Sequence, residues 1–171
     1  NMSVGSRVFL QRELPDMELV KRYQRLPAAN VADTMSRSCA LNSEIHLISS
    51  PDRPIMAGPA LTVKARPGDN LMLHKALDMA QEGDVIVVSN DGDRTHSLMG
   101  EIMAVYAQNK RKVAGIVLDG PIRDMEELSQ MSLFLYATGS TPGGPYKEGP
   151  GEINVPISIG NIAVKPGDII L

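Results

Sequence analysis

The chain has 171 residues, of which 43% are hydrophobic and 22% charged, and its formal net charge is −3. These values are typical of one globular domain with a single core, and they lack the basic excess of proteins that bind nucleic acid or anionic membranes. No apolar run approaches the ~20 residues of a membrane span, and the lone cysteine, Cys39, excludes a disulfide framework and fits a reducing cytoplasm.

The first half of the chain predicts two short helices, two strands and a longer helix. Residues 1–14 carry no clear pattern and are expected to be peripheral and weakly anchored. Proline positions and apolar spacing predict helices over 16–26 and 31–36, the second capped by Asn30. Strands are predicted over 45–49 and 56–65, and Asp69 or Asn70 begins a helix that reaches residue 81.

The second half alternates apolar strands with helices. Strands are predicted over 85–88, 113–118 and 133–136, with helices over 100–112 and from 124 to about 131. Short β segments follow at 157–159, 162–164 and 169–171. This pattern predicts a single α/β domain over 1–171, with helices covering a largely parallel sheet and the late strands forming an annex. The apolar end at 169–171 suggests that a further C-terminal segment exists.

The turn 119–124 is the first place to expect chemistry, because it follows a buried strand at its carboxyl end. Arg123 offers a planar fork of donors suited to a carboxylate, and Asp124 offers oxygen ligands to a divalent cation. The alternative is an ordinary helix start, with Asp124 as the N-cap and Arg123 in a surface ion pair. These two residues alone do not decide between a binding site and an ordinary helix start.

Glu101 is predicted at a helix N-terminus, where the free amides of Ile102 and Met103 could bind a substrate carboxylate. Taken alone, Glu101 is better explained by its favourable interaction with the helix dipole. Lys147 lies in a loop rich in glycine and proline and could reach a phosphate or carboxylate, although no P-loop surrounds it.

Other polar residues have simpler interpretations. Asp119 fits an Asx turn and His74 fits helix packing, and the polar loop 89–99 is expected to be solvated. The strand 85–88 is not followed by Gly-x-Gly-x-x-Gly, and Gly-x-Ser-x-Gly is absent. A Rossmann dinucleotide site and a serine-hydrolase nucleophile elbow therefore have no support.

From about residue 28 onward, separate motifs in order resemble the RraA-like family. The resemblance rests on these segments: Asn30-Val31-Ala32-Asp33, Gly58-Pro59-Ala60-Leu61, Gly68-Asp69-Asn70, Gly83-Asp84-Val85, Gly100-Glu101, Asp119-Gly120-Pro121-Ile122-Arg123-Asp124, Thr141-Pro142-Gly143-Gly144-Pro145 and Pro166-Gly167-Asp168. The family includes class II 4-hydroxy-4-methyl-2-oxoglutarate aldolases, which also decarboxylate oxaloacetate, and regulators of ribonuclease E activity.

The resemblance implies a swivelling-domain-like α/β/α sandwich with a mixed, largely parallel central sheet. It also implies homotrimers or hexamers with active sites between subunits. In the family's aldolases an Arg holds the pyruvyl portion, the following Asp holds Mg²⁺ or Mn²⁺, and an earlier acid orients metal-bound water. The matching residues here are Arg123, Asp124 and Glu101. Gly100 and the amides of Ile102 and Met103 would hold the substrate carboxylate, with Lys147 as a further substrate-binding residue.

The spacing departs from the family pattern in one respect. Twenty-one residues separate Glu101 from Arg123, one more than in the usual motif. The extra residue is expected within 108–112, at the end of the helix, where a loop can absorb it.

The function expected from the sequence is that of a metal-dependent lyase. It would cleave a C–C bond of a short 2-oxo acid to give pyruvate through a metal-stabilised enolate, with Arg123 and Glu101 as catalytic residues and no nucleic-acid or membrane partner. The alternative is a non-catalytic regulator that binds a protein partner, as ribonuclease E inhibitors do. The complete set of Glu101, Arg123 and Asp124 favours the enzyme.

Overall fold

A computed structural model describes residues 6–171. Its α-helices are Met17–Tyr23 (α1), Ala28–Thr34 (α2), Leu71–Met79 (α3), Glu101–Tyr106 (α4) and Met125–Ser129 (α5), and a π-helical turn at Ala107–Arg111 follows α4. Its strands are Arg7–Val8 (β1), His46–Leu47 (β2), Gly58–Ala65 (β3), Val85–Ser89 (β4), Gly115–Leu118 (β5), Phe134–Ala137 (β6), Gly151–Ile153 (β7), Ile157–Ile159 (β8), Ile162–Val164 (β9) and Ile169–Ile170 (β10).

The central sheet has the strand order β1-β7-β3-β4-β5-β6-β2, with β10 added beside β3. The four middle strands, β3 to β6, are parallel. Strands β7 and β10 pair antiparallel with β3, β2 pairs antiparallel with β6, and β1 pairs parallel with β7. The fold class predicted from the sequence, α/β with a mixed and largely parallel central sheet, is confirmed. Strands β8 and β9 form the predicted annex as a separate hairpin.

Alternate side chains of the middle strands fill two different cores. In β4, Ile86 and Val88 face a core shared with α3, α4 and α5, while Val85 and Val87 face a second core shared with the β8–β9 hairpin. Both sets are buried because a parallel sheet covered on both faces has no solvated side. This explains why these strands are continuously apolar in the sequence.

Several predicted boundaries need correction. Helix α2 begins at Ala28 after Pro27, so Asn30 lies inside it and is not its cap. The region predicted to be weakly anchored is attached to the domain in its described part, since β1 pairs with β7 and Arg12 forms a buried ion pair with Asp84 at 2.5 Å. Residues 1–5 lie outside the described residues. Within 6–171, no helix is long and apolar enough to cross a membrane.

Candidate functional site

The loops that leave the carboxyl ends of β3, β4, β5 and β6 are joined by backbone hydrogen bonds. The Leu98 amide donates to the carbonyl of Pro121 at 2.9 Å, and the Arg123 amide donates to the carbonyl of Met99 at 3.0 Å. The Ser97 amide reaches the carbonyl of Gly143 at 2.8 Å. Because the parallel strands place these loops at one edge of the sheet, residues far apart in the sequence meet there.

Asp124 directs its carboxylate toward the start of α4. Its Oδ2 accepts a hydrogen bond from the Glu101 amide at 3.0 Å. Asp124 occupies the N-cap position of α5, but its side chain makes no capping bond to that helix. Its backbone has φ 56°, a left-handed conformation that is uncommon for residues other than glycine. The simple N-cap alternative is therefore wrong for the Asp124 side chain.

Gly100 lets the two segments approach closely. A Cβ at this position would lie 2.5 Å from Asp124 Oδ2 and 3.1 Å from both Cγ and Nε of Arg123. The backbone of Gly100 is extended, so the need for glycine comes from this close approach and not from an unusual φ. The structure thus brings together Gly100, Glu101, Arg123 and Asp124, as the sequence predicts.

The charged groups of this cluster are available to a ligand. Arg123, Asp124 and Glu101 are all exposed, and the Arg123 guanidinium makes no hydrogen bond or ion pair within residues 6–171. The amides of Ile102 and Met103 lie in the first turn of α4, where an α-helix provides no acceptor for them. The cluster therefore presents one cation, two carboxylates and two backbone donors at the surface.

The donor set is compatible with a magnesium ion that keeps most of its water ligands. Among residues 6–171, no three or more His, Cys, Asp or Glu side chains gather as a preformed metal cage. Mg²⁺ is commonly held by only one or two carboxylates together with waters and substrate oxygens. Asp124 fits that role, because the Glu101 amide uses only its Oδ2 and leaves Oδ1 free.

Asn70 belongs to this region, although the sequence suggested only a helix cap. It is 2% exposed, and its Nδ2 donates to the carbonyl of Leu98 at 3.0 Å and to Met103 Sδ at 3.7 Å. Its buried Oδ1 has no partner within 6–171. Asn70 therefore ties the start of α3 to the segment that leads into Gly100 and Glu101. The Gly68-Asp69-Asn70 motif was the available signal for it.

Lys147 is not brought into contact with the Arg123 cluster in the single chain. No hydrogen bond or ion pair within 6–171 joins it to Arg123 or Asp124, and its side chain is exposed. Its charge acts on His74 in α3 instead. Partial desolvation of the ring lowers the pKa of His74, the positive charge of Lys147 lowers it further, and Asp78 raises it. His74 is itself exposed, so its predicted packing role is wrong.

The loop between β4 and α4 is held by its own ion pairs and is not simply solvated. Arg94 Nη2 contacts Asp119 Oδ1 at 2.7 Å, and Arg94 Nε contacts Glu44 Oε1 at 2.9 Å. The hydrogen bond to Glu44 is the main cause that raises the pKa of Arg94, and the same bond lowers the pKa of Glu44. Asp119 therefore anchors Arg94, which its predicted Asx-turn role does not describe.

The end of the α4 segment contains the π-helical turn Ala107–Arg111. A π-helical turn accommodates one more residue than an α-helical turn, and it lies where the extra residue between Glu101 and Arg123 is expected. Arg111 then donates through Nη2 to the carbonyl of Ala80 at 2.7 Å, and Lys112 ends the turn in a left-handed conformation with φ 53°. The segment in which a loop was expected is thus a helical turn.

Two larger cavities lie away from the Arg123 cluster. One of about 830 Å³ is lined by residues near the amino ends of the strands, including Arg53 and Lys112. Another of about 440 Å³ lies against the β8–β9 hairpin and is lined by Lys64 and Arg94, among others. Neither of these two cavities is lined by Gly100, Glu101, Arg123 or Asp124.

Comparison with known sequences gives a consistent set of relatives. The sequence model of the RraA-like family, described as Aldolase/RraA, matches residues 28–171. A protein of Halalkalibacterium halodurans that carries the provisional name 4-hydroxy-4-methyl-2-oxoglutarate aldolase is 33% identical over 156 residues, which is 91% of this chain and 73% of that protein. A Thermus thermophilus protein named 4-hydroxy-4-methyl-2-oxoglutarate aldolase is 36% identical over 103 residues, covering 60% of this chain and 62% of that protein.

Solved structures with the same fold carry a different description. The RNA-processing inhibitor RraA from Thermus thermophilus superposes with a TM-score of 0.76 at 29% identity, covering 85% of this chain and 86% of that one. A Streptomyces coelicolor member of the RNase ES inhibitor RraA protein family has a TM-score of 0.79 at 26% identity, covering 93% and 82%. The relatives therefore include both aldolase names and inhibitor names.

Proposed function

Because the chain belongs to the RraA-like family, we propose that it is a divalent-metal-dependent lyase that cleaves a C–C bond of a short 2-oxo acid and yields pyruvate. The reaction would be of the 4-hydroxy-4-methyl-2-oxoglutarate aldolase and oxaloacetate decarboxylase type. The observation that carries this proposal is the meeting of Gly100, Glu101, Arg123 and Asp124 at the carboxyl edge of the sheet.

Arg123 would bind the pyruvyl portion of the substrate. Its guanidinium is free of protein partners within 6–171 and can offer two parallel N–H donors to a carboxylate. After the C–C bond breaks, the same positive charge would stabilise the negative charge of the enolate that becomes pyruvate. The amides of Ile102 and Met103 would hold a substrate carboxylate at the start of α4.

Asp124 would hold Mg²⁺ or Mn²⁺, with Glu101 acting through a water molecule. A divalent cation at this position would supply Lewis-acid polarisation of the 2-oxo group. Asp124 is prepared for this role because the Glu101 amide fixes the orientation of its carboxylate. The exposed Glu101 carboxylate could then orient water or relay a proton.

We further propose that the protein is a cytoplasmic homotrimer or hexamer with sites between subunits. Ile102, next to Glu101, is 86% exposed, and Val105 on the same helix is 39% exposed. The buried residues of α4 and the π-helical turn are instead the small Ala104 and Ala107. An exposed apolar side chain beside an open charged cluster is what a subunit interface at the site would cover. The free Cys39 fits a reducing compartment.

The second candidate function is a non-catalytic regulator that binds a protein partner. It is favoured by the titles of the two solved structures, which describe an RNA-processing inhibitor and an RNase ES inhibitor family member. The same exposed apolar residues on α4 could serve such a partner. A free Arg123 beside an oriented Asp124 carboxylate has no necessary part in that role, so the enzyme is the preferred proposal.

The deciding experiment measures pyruvate formation from oxaloacetate and from 4-hydroxy-4-methyl-2-oxoglutarate. The metal-stripped full chain would be assayed with added Mg²⁺, with added Mn²⁺ and with chelator. We expect metal-dependent pyruvate release that chelator abolishes. If the protein releases pyruvate from either substrate no faster than free metal ions do, the proposed lyase activity is rejected and the regulator remains as the candidate function.

A further inference from the structure

A buried carboxylate connects the Lys147 loop to the start of α3. Asp69 is 2% exposed. Its Oδ2 accepts hydrogen bonds from the amides of Glu148 and Gly149, each at 2.8 Å, and its Oδ1 accepts one from the Leu71 amide at 2.9 Å. Hydrogen bonds to an ionised acceptor are about twice as strong as neutral ones. One side chain therefore holds two segments that are 79 residues apart.

The backbone on the other side of Lys147 is held by the same turn. The Tyr146 amide donates to the carbonyl of Gly68 at 2.8 Å, and the Asn70 amide donates to the carbonyl of Tyr146 at 2.9 Å. Lys147 thus lies between two neighbours, Tyr146 and Glu148, that are both bonded to residues 68–70. The position of the Lys147 backbone follows from these attachments.

The turn 68–70 also contacts the segment that leads to the Arg123 cluster. Asn70, which follows Asp69, bonds the carbonyl of Leu98 through its side chain, two residues before Gly100. Residues 69–70 therefore connect the backbone around Lys147 with the segment that leads to Gly100 and Glu101, and no hydrogen bond within residues 6–171 joins Lys147 to those two residues directly.

We propose that Asp69 is a positioning residue that holds Lys147 in place over α3 for binding a carboxylate of the substrate. The proposed role of Lys147 rests on the proposed function, whereas the control of its position by Asp69 does not. An Asn at position 69 keeps the shape but offers an acceptor on only one side, and its NH₂ group would face a donor amide. Asp69→Asn should therefore release the loop around Lys147.

His74 provides a readout of the position of Lys147 that does not require activity. The positive charge of Lys147 contributes to lowering the pKa of His74. The chain has three histidines, so their imidazole signals can be resolved by NMR, with His74→Gln identifying the signal of interest. His46, on the edge strand β2, serves as an internal reference.

The expected results have a definite sign. In Lys147→Met the pKa of His74 should rise, because a nearby cation is gone. In Asp69→Asn the pKa of His74 should also rise, because Lys147 moves away. In the double variant the pKa of His74 should rise no further than it does in Lys147→Met. The loss of the Asp69 charge alone would act in the opposite direction. An unchanged or lowered pKa of His74 in Asp69→Asn would overturn the proposal.

The chain supplies a matched control in its second Pro-Gly-Asp turn. Within residues 6–171, the side chain of Asp168 accepts only a local hydrogen bond, from the Lys165 amide at 2.8 Å. Asp168→Asn should leave the pKa of His74 and the kinetics unchanged.

Steady-state kinetics of the same variants test this inference separately from the proposed function. In an active enzyme, Asp69→Asn and Lys147→Met should each raise KM for oxaloacetate about tenfold with little change in kcat, and the double variant should not be worse. Additive effects would show that Asp69 acts independently of Lys147. If the wild-type protein has no lyase activity, the proposed function fails, and the His74 titration still decides the role of Asp69.

Hydrogen exchange on the wild-type protein covers the case in which Asp69→Asn does not fold. The amides of Glu148 and Gly149 should be protected, since Asp69 holds both. Rapid exchange of both amides in the wild-type chain would overturn the proposal without any variant.

Discussion

The carboxylate of Asp124 accepts a hydrogen bond from the backbone amide of Glu101, 23 residues earlier in the chain, at 3.0 Å. Asp124 thus caps the start of α4 from outside, while its own helix, α5, receives no side-chain cap. This relationship joins the two loops that carry the proposed catalytic residues. It also changes what a substitution at Asp124 is expected to do.

Asp124→Asn tests whether the Asp124 carboxylate is a metal ligand or serves only as a hydrogen-bond acceptor for the Glu101 amide. Asparagine tolerates the left-handed backbone and can accept the Glu101 hydrogen bond, so the free energy of unfolding should change by about 1 kcal/mol or less. Removing the charge should lower metal-dependent kcat/KM about 100-fold, with only partial recovery in excess Mg²⁺. The melting temperature measures the change in stability, and the rate of oxaloacetate decarboxylation measures the change in activity. Full metal-responsive activity would show that the metal lies elsewhere.

Arg123→Lys should lose most activity although it keeps the charge. Lysine cannot reproduce a planar two-point contact with a carboxylate, so kcat/KM should fall about 10–100-fold. Arg22→Lys, at an exposed position in α1, is the control and should be neutral. Near-normal kcat/KM in Arg123→Lys would remove Arg123 from substrate binding.

Gly100→Ala tests the close approach of the two loops. The added Cβ would lie 2.5 Å from Asp124 Oδ2, so the Asp124 carboxylate must move away from the Glu101 amide. A displacement of this kind should lower kcat/KM about 10–100-fold while the chain remains folded. Gly144→Ala is the matched control, because a Cβ there meets nothing within 4 Å. Equal activity of the two variants would contradict the arrangement described for Gly100.

Ile102→Glu tests the proposed subunit interface. Light scattering should give the wild-type mass of three or six chains at micromolar concentration. A charge at this 86% exposed position should reduce the mass toward one chain and leave the circular dichroism spectrum unchanged. A monomeric wild-type protein would reject the proposed oligomer and the site between subunits.

The hydrogen bonds to Asp93 should make the stability of the folded chain depend on pH in acidic solution. Burial alone would raise the pKa of Asp93, but hydrogen bonds from His96 and Thr95 outweigh it and lower the pKa below its ordinary value of 3.8. The folded state then binds fewer protons than the unfolded state, so stability rises with pH through this window. The contribution is fully present above the ordinary value and is lost as the pH falls through the lower folded-state pKa.

The comparison of wild type with Asp93→Asn measures this effect. The difference in unfolding free energy between the two proteins should shrink from about pH 5 downward, when followed by urea denaturation. A constant difference for Asp93→Asn would reject the hydrogen bonds as its cause.

Much of the fold was determined by the sequence alone. The apolar runs at 85–88, 113–118 and 133–136 predicted the parallel core strands, because only a strand buried on both faces is continuously apolar. The short strands 157–159 and 162–164 were predicted with the boundaries that the hairpin has. Motifs and strand-end positions also predicted that Arg123 and Asp124 follow a core strand and that Glu101 begins a helix.

The tertiary structure alone decided how these residues are used. Local periodicity carries no information about which amide a carboxylate will meet, because that depends on the order of the strands and on the packing of their loops. Asp124 reaches Glu101, and Asp69 reaches Glu148, only because the sheet places their loops at one edge. Likewise, only the tertiary structure shows that the large apolar Ile102 of α4 lies at the surface, whereas the small Ala104 of the same helix packs into the core.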